Sequence, residues 1–517
     1  MKKFKVLLVS ALLAVTAFSC NRSESARQSG RQGSSRARDE IIVAVPAEPI
    51  HFIPAEKMQS SDTDHIFLYN VYDTLLYKDT SNGDVKPWLA EKWELSPDGK
   101  QIKFKLREDV YFHDGTKLTA RDVQFTYDDT KNYPVGAALL INYDHTEVID
   151  DYNFIIHMVA PYNAILNSFC SRAAFIVSKA HYEKVGEEGY KAKPIGTGAY
   201  KFVSWTSGDQ IVLEANEKYW GGAPAFKKFI IKTIPDVNTQ ILALETGDID
   251  VILNAPIENL QYLNNPNLSW DAVGSNASHF LAFFMHEKSW VSQDPNFRKA
   301  VQAAIDKNSI NTAVFGGKAE IIDIYGSKNF TTHPLPGSYS TYTRDMAKAR
   351  EYLAKSNYKG QEFNIACIAG TANQKSAEII QGTLSELGIK VKITATDSAA
   401  FFNTTQKTGD YDAMLVIHNS SVMDQDSMYL YFAKVRYEIP GITFPHGDEM
   451  NDLVVSARQN PNNEERRANY AKVSSYVNDD AYTIYILMDV NTIAFRKDLK
   501  GVRPNMAKYY RISEWSY

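Results

Sequence analysis

The chain is poor in cysteine and lacks the short motifs of the common hydrolases. Three cysteines, Cys20, Cys170 and Cys367, occur in 517 residues. A disulfide-stapled fold needs a denser, regularly spaced set, so Cys170 and Cys367 are expected to be buried free thiols. There is no His-Glu-x-x-His, no Gly-x-Ser-x-Gly and no Cys/His signature, so zinc, serine and cysteine hydrolysis have no motif to rest on. Gly196-Thr197-Gly198 is followed by no Lys-Ser/Thr pair, which excludes a Walker phosphate loop and favours a close backbone crossing. His279 and His418 stand alone, without ligand spacing, so neither a metal nor a cofactor is expected. Asp248 and Asp250 sit at a helix-to-strand join, where solvation or capping explains them. The formal charge of −5 gives no basic surface for nucleic acid. The apolar run at residues 6–18 is also too short for a membrane span, which takes about 20 residues.

That run has another reading. Lys2, Lys3 and Lys5 precede it, and it ends at Ala17-Phe18-Ser19-Cys20. A small residue followed by Cys resembles a lipoprotein processing site, with residues 1–19 as signal peptide and lipid on Cys20. The bulky Phe18 departs from the commonest form, which has a small residue there. An ordinary secreted protein with an incidental cysteine is the other reading. Residues 20–38 are rich in Ser, Gly, Gln and Arg, have no apolar period and read as a flexible tether. The expected location is outside the cytoplasm, anchored by lipid to a membrane on its periplasmic or cell-surface face. Loss of Lys2, Lys3 and Lys5 shifts the formal charge from −5 to −8.

The body alternates strands and helices. Residues 40–46 form a short β-rich run ending at Pro46. Ile102, Phe104 and Leu106 alternate with Lys103, Lys105 and Arg107, giving a strand with one buried face. Thr119 and Asp122 form a capping box, with Leu118 and Val123 placed to staple across it. Residues 241–245 read as a helix stopping near Gly247, before a strand at Ile249 and Val251. Asp294-Pro295 opens a helix with Phe297, Ala300, Val301, Ala304 and Ile305 on one face. Ala377, Ile380, Leu384 and Leu387 form another stripe, ended by Gly388 and followed by a strand at 389–393. The class is α/β, with open sheets covered by helices.

Five stretches then carry a resemblance. Residues 86–128 contain Leu89-Ala90-Glu91, Trp93, Asp98-Gly99, Leu106-Arg107, Phe112-His113-Asp114-Gly115 and Thr119-Ala120-Arg121-Asp122-Val123. Gly196 to Tyr200 is followed by Asn216 and Tyr219-Trp220-Gly221-Gly222. Leu244 to Asp250, then Arg298-Lys299-Ala300 through Asp306, and finally 377–393 with Tyr411-Asp412 complete the series. In this order they resemble the family 5 extracellular solute-binding proteins of bacterial ABC importers, the oligopeptide, dipeptide and nickel-binding group. The resemblance implies a periplasmic-binding-protein-like fold (class II, cluster C), with two lobes and three domains around a ligand cleft. Lobe 1 would be 39–275 plus 490–517, with an extra domain at about 60–189, and lobe 2 would be 276–489. Chain crossings near 275 and 490 would form the hinge.

By the same resemblance a peptide would lie extended in the cleft, bound through its main chain by Met58-Gln59-Ser60 and by Val416, Ile417, His418 and Asn419. Many peptide-binding members have Gly-Trp in that second strand and an Asp soon after for the ligand's ammonium. Here Val416-Ile417 stands in the first place and Ser420 or Ser421 in the second, with Asp424 and Asp426 close by. An Arg that holds the carboxylate in dipeptide binders is replaced by Gln374-Lys375. A peptide longer than two residues fits these weaker end clamps better. The alternative ligand is a β-linked oligosaccharide, to which Trp290 and residues 280–284 could contribute, although core packing is the plainer role for them. The expected partners are an importer's permease and ATPase, and the expected state is a monomer. An exported hydrolase and a peptide-presenting sensor are the other function classes.

Overall fold

The computed structural model describes residues 39–49, 52–53, 62–79, 81, 83–420, 422–426 and 441–517. Cys20 and Met58-Gln59-Ser60 lie outside the described residues. No helix among the described residues is long and apolar enough to cross a membrane. Cys170 and Cys367 are buried and unbridged.

Ten strands form one sheet. In spatial order they are Lys390–Thr396, Glu362–Ile368, Ala413–Asn419, Leu268–Phe283, Thr483–Arg496, Val251–Leu253, Glu40–Val45, Lys228–Thr233, Gln210–Ala215 and Tyr200–Thr206. Glu362–Ile368 is parallel to both of its neighbours, and so is Glu40–Val45. Between these two parallel groups run the long antiparallel strands Leu268–Phe283 and Thr483–Arg496. Their register breaks in the middle, where residues 275–277 face the single residue Asp489. One end of the pair, with Phe280 and Tyr485, is buried in a core drawn mainly from residues 280–488. The other end, with Ile493, is buried in a core that includes Ile41, Val43, Tyr72 and Ile512. A separate antiparallel sheet, Ala90–Leu95, Gln101–Leu106, Asn153–Met158 and Tyr143–Val148, covers a third core between residues 75 and 195.

Local chemistry sets the elements much as their sequence suggests. Ile102, Phe104 and Leu106 all point into the third core. The Asp122 carboxylate accepts the Thr119 N–H at 2.9 Å, with Leu118 and Val123 buried beside it. Asp294 caps Pro295–Ala304 by accepting the Phe297 N–H at 3.0 Å, and Gly247 ends Val237–Thr246 in the left-handed region. Asp250 differs from the expectation of a solvated or capping acid. It is fully buried, accepts the Ile42 N–H at 2.8 Å and lies 3.5 Å from the Arg496 guanidinium.

Several of the stretches singled out in the sequence meet in joints. Asp73, fully buried, accepts from Trp88 Nε1 (2.8 Å), Thr197 Oγ1 (3.0 Å), Tyr219 O–H (3.2 Å), Trp220 Nε1 (3.2 Å) and Arg511 Nη1 (3.3 Å). Gly196 and Gly198 pass so close to residues 70–72 that a Cβ on either would collide with the backbone of Asn70 or Val71. His113 locks this crossing: its Nε2 donates to Gly198 O (3.0 Å), and its Nδ1 accepts the Gly196 N–H (3.3 Å). Removing the carboxylate in Asp73→Ala strands the buried Arg511 charge and four neutral donors. The expected cost is about 3–5 kcal/mol, read as a lower midpoint of urea unfolding followed by circular dichroism.

Candidate functional site

In open α/β sheets, ligands bind where parallel strands end at their carboxyl termini, because loops and helix starts converge there. Three such ends meet here. Glu40–Val45 ends at Val45-Pro46, Val251–Leu253 ends at Asn254, and Glu362–Ile368 leads into Gly370-Thr371-Ala372. All of these residues line one cavity of about 450 Å³. Its remaining walls include Ile66, Phe315, Tyr510 and the crossing residues Asp489 to Thr492. The volume lies within the range of small-ligand pockets.

Four charged side chains line the cavity, Glu258, Lys375, Asp489 and Lys508. Lys375 Nζ lies 2.8 Å from each oxygen of Glu258, joining residues 117 apart in sequence. Asn254 holds a left-handed backbone (φ 59°), a region that Asn tolerates better than most residues, and its buried Oδ1 has no hydrogen-bond partner among the described residues. An unpaired acceptor on a cavity wall is suited to a ligand donor. Asn254, Glu258 and Lys508 were not singled out by sequence reading. The run Leu253-Asn254-Ala255-Pro256 carries turn chemistry that could have flagged the first.

The strand Ala413–Asn419, parallel to Glu362–Ile368, finishes opposite Ala277, next to the break in the long strand pair. It pairs with Leu268–Phe283 along its whole length, Ala277 opposite Asn419 and Ser278 opposite His418. On its other side only Ala413 and Met414 pair with Glu362–Ile368. At Val416, Ile417 and Asn419 the outer backbone edge therefore has no strand partner among the described residues. Such an edge can take an added strand.

The family model for bacterial extracellular solute-binding proteins, family 5 Middle, matches residues 84–437. The chain belongs to this family. It is a binding protein and not an enzyme. Over 99% of both chains it is 23% identical to the oligopeptide-binding protein AppA of Bacillus subtilis strain 168. It is 24% identical to the probable D,D-dipeptide-binding periplasmic protein DdpA of Escherichia coli K12, covering 93% of this chain and 94% of that one. Its fold matches the crystal structure of a putative peptide binding protein AppA from Clostridium difficile with a TM-score of 0.82, at 23% identity over 92% of this chain and 99% of the other. The fold is thus that of the family 5 periplasmic binding proteins.

Within this solute-binding protein the other residues singled out in the sequence fall into two groups. Ile417 and His418 are half-buried and Asn419 is exposed, all on the strand Ala413–Asn419. The His418 Nδ1 lies 3.1 Å from Tyr325 O–H. Ser420 is buried at the strand's end, its N–H on Asn276 O (3.0 Å). Asp424 and Asp426 lie behind that end, fully buried beside arginines: Arg466 Nη2 donates to Asp424 at 2.9 Å and Arg458 Nε to Asp426 at 2.6 Å. Thr332 O–H donates to Asp424 (2.8 Å) and Tyr470 O–H to Asp426 (3.2 Å). Burial pushes the Asp426 carboxyl up and Arg458 pulls it back. Phe280 to Phe284 are core, and Trp290 packs against Phe297 and Tyr358; Phe284 and Trp290 also border a separate cavity of about 410 Å³ and do not line the first. No group of three or more His, Cys, Asp or Glu side chains among the described residues is placed to hold a metal ion.

His279 stands edge-on to the cavity-lining Phe315, with ring centroids 6.0 Å apart, and neither of its ring nitrogens has a partner among the described residues. Burial alone drives its pKa down to about 3, and burial likewise takes His113 to about 4. The unfolded chain, with histidine near 6.5, then binds protons that the folded protein refuses. Stability is full above about pH 6.5 and falls as the pH drops toward 3. His279 alone accounts for a loss of about 4–5 kcal/mol across that window. His279→Leu is expected to move the acid unfolding midpoint, followed by tryptophan fluorescence, to lower pH.

Proposed function

We propose that this chain is the ligand-capturing component of an ABC importer and that its ligand is a short peptide held between two closing lobes. The observation that carries this reading is the meeting of strand ends from two cores at one cavity. Lobe 1 is 39–275 plus 490–517, including an extra domain at about 60–189, and lobe 2 is 276–489. The crossings near 275 and 490 are the hinge. A ligand touching both faces stabilises the closed state, since only there are all its contacts made.

The peptide adds a strand to the edge at Ile417, His418 and Asn419, with Met58, Gln59 and Ser60 facing it from lobe 1. Main-chain pairing of this kind is indifferent to side chains, so the specificity is broad. Ser420 and Asp424 are both buried at the end of the strand Ala413–Asn419, so they shape the site without touching the ligand. Asp424 already faces Arg466, which favours a ligand not gripped by its ammonium and therefore longer than a dipeptide. Relatives named for oligopeptides and D,D-dipeptides support a peptide over a sugar. So does the absence of Trp290 and residues 280–284 from the walls of the cavity where the strand ends meet. The closed protein delivers its ligand to a membrane permease driven by an ATPase. It works as a monomer, tethered by residues 20–38 to a lipid on Cys20.

Native mass spectrometry of the purified protein is expected to show bound peptides of three or more residues; bound oligosaccharide in their place would sink the reading. Ala372→Trp, which fills the cavity, is expected to weaken peptide binding at least about tenfold by calorimetry, a loss of 1.4 kcal/mol or more. Cys20→Ser is expected to shift the protein from the membrane fraction to the soluble fraction, and unchanged retention on membranes would refute the anchor.

A further inference from the structure

We propose that Glu258 is a specificity-determining residue: a built-in counter-ion that stops Lys375 from selecting ligands by a terminal carboxylate. The proposal rests on the reading of the cavity as a peptide site. Glu258 sits in the short helix Ile257–Leu260, just past the end of Val251–Leu253. Lys375 sits in the first turn of the helix Ala372–Ser385, which packs on the core of residues 280–488. Both side chains line the cavity and both are half exposed. The ammonium lies symmetrically between the two carboxylate oxygens, at 2.8 Å from each.

An ion pair this exposed adds little to stability. Its consequence is for binding. An ammonium on a cavity wall without a counter-ion would give a ligand carboxylate a charge-assisted hydrogen bond, worth about tenfold or more in affinity. With Glu258 in place, an incoming carboxylate displaces another carboxylate from the same nitrogen. One ionic contact replaces one of equal kind, and the displaced Glu258 stays nearby and repels the newcomer. A ligand whose chain end is neutral, or continues past the cavity, forgoes nothing. The other two charges on the walls among the described residues, Asp489 and Lys508, are again one of each sign, so these four side chains together carry no net charge to draw an anionic end.

The test is a competition between end groups. A random tetrapeptide library, made half as free acids and half as C-terminal amides, is incubated with the full-length protein, and the retained fraction is read by mass spectrometry. The wild type is expected to retain acids and amides within about threefold of each other. Glu258→Gln, with its fold verified by circular dichroism, is expected to enrich the acids about tenfold. The double variant Glu258→Gln/Lys375→Gln is expected to return to the wild-type ratio, since the enrichment comes from Lys375. An unchanged ratio in Glu258→Gln would overturn the proposal while leaving the peptide reading intact. So would a wild type that already favours acids tenfold. A wild type that retains no tetrapeptide would overturn the peptide reading itself, and the proposal with it.

Discussion

A carboxylate sealed from water has to be surrounded by donors, and Asp73 meets that requirement with five. The partners come from residues 88, 197, 219, 220 and 511, so one charge fixes the relative positions of four distant chain segments. Two cavity walls depend on this joint. Ile66 lies in the helix Asp62–Val71 that leads to Asp73. Tyr510 adjoins Arg511 and is held by Asn70, whose Nδ2 donates to Tyr510 O (2.8 Å) and whose Oδ1 accepts the Ile512 N–H (2.8 Å). The carboxyl-terminal tail thus reaches the binding face through the same cluster that ties the small sheet to the large one.

What could be read in the sequence was whatever depends on near neighbours. The alternation at Ile102, Phe104 and Leu106, the box at Thr119 and Asp122, the Asp294-Pro295 start and the Gly247 stop all act within a few residues, and all appear in the structure as expected. The glycines of Gly196-Thr197-Gly198 were legible as a crossing, but not which strand of chain they crossed. Asp73 carried no signal at all, because its partners lie up to 438 residues away. Asp250 was misjudged for the same reason. Its burial depends on Ile42 and Arg496, 208 residues before it and 246 after it respectively.

Three charges singled out in the sequence show the same limit, with a consequence for the proposed function. Taken alone, Asp424, Asp426 and Lys375 look like groups awaiting a peptide's two ends. In the folded chain Arg466, Arg458 and Glu258 reach them first. The two classes differ in kind. The aspartates are fully buried, and a buried carboxylate without a counter-charge would protonate or destabilise the core, so their arginines are a structural need. Lys375 is half exposed and water would solvate it well, so Glu258 is not needed for folding. A partner that the fold does not require is a better candidate for tuning the ligand than one it does.

The break in the long strand pair links this chemistry to the proposed closure. Where residues 275–277 face Asp489, the ladder is interrupted, and an interrupted ladder bends more readily than a continuous one. The same place is tied into the site: Asn276 receives the Ser420 N–H on its carbonyl and donates its own N–H to Met506 O, while Asp489 to Thr492 form a cavity wall. In the proposed closure the chain flexes where its ligand sits. A guest that fills the cavity then restrains the hinge directly, and the energy of its contacts acts on the closing motion without a relay through either core.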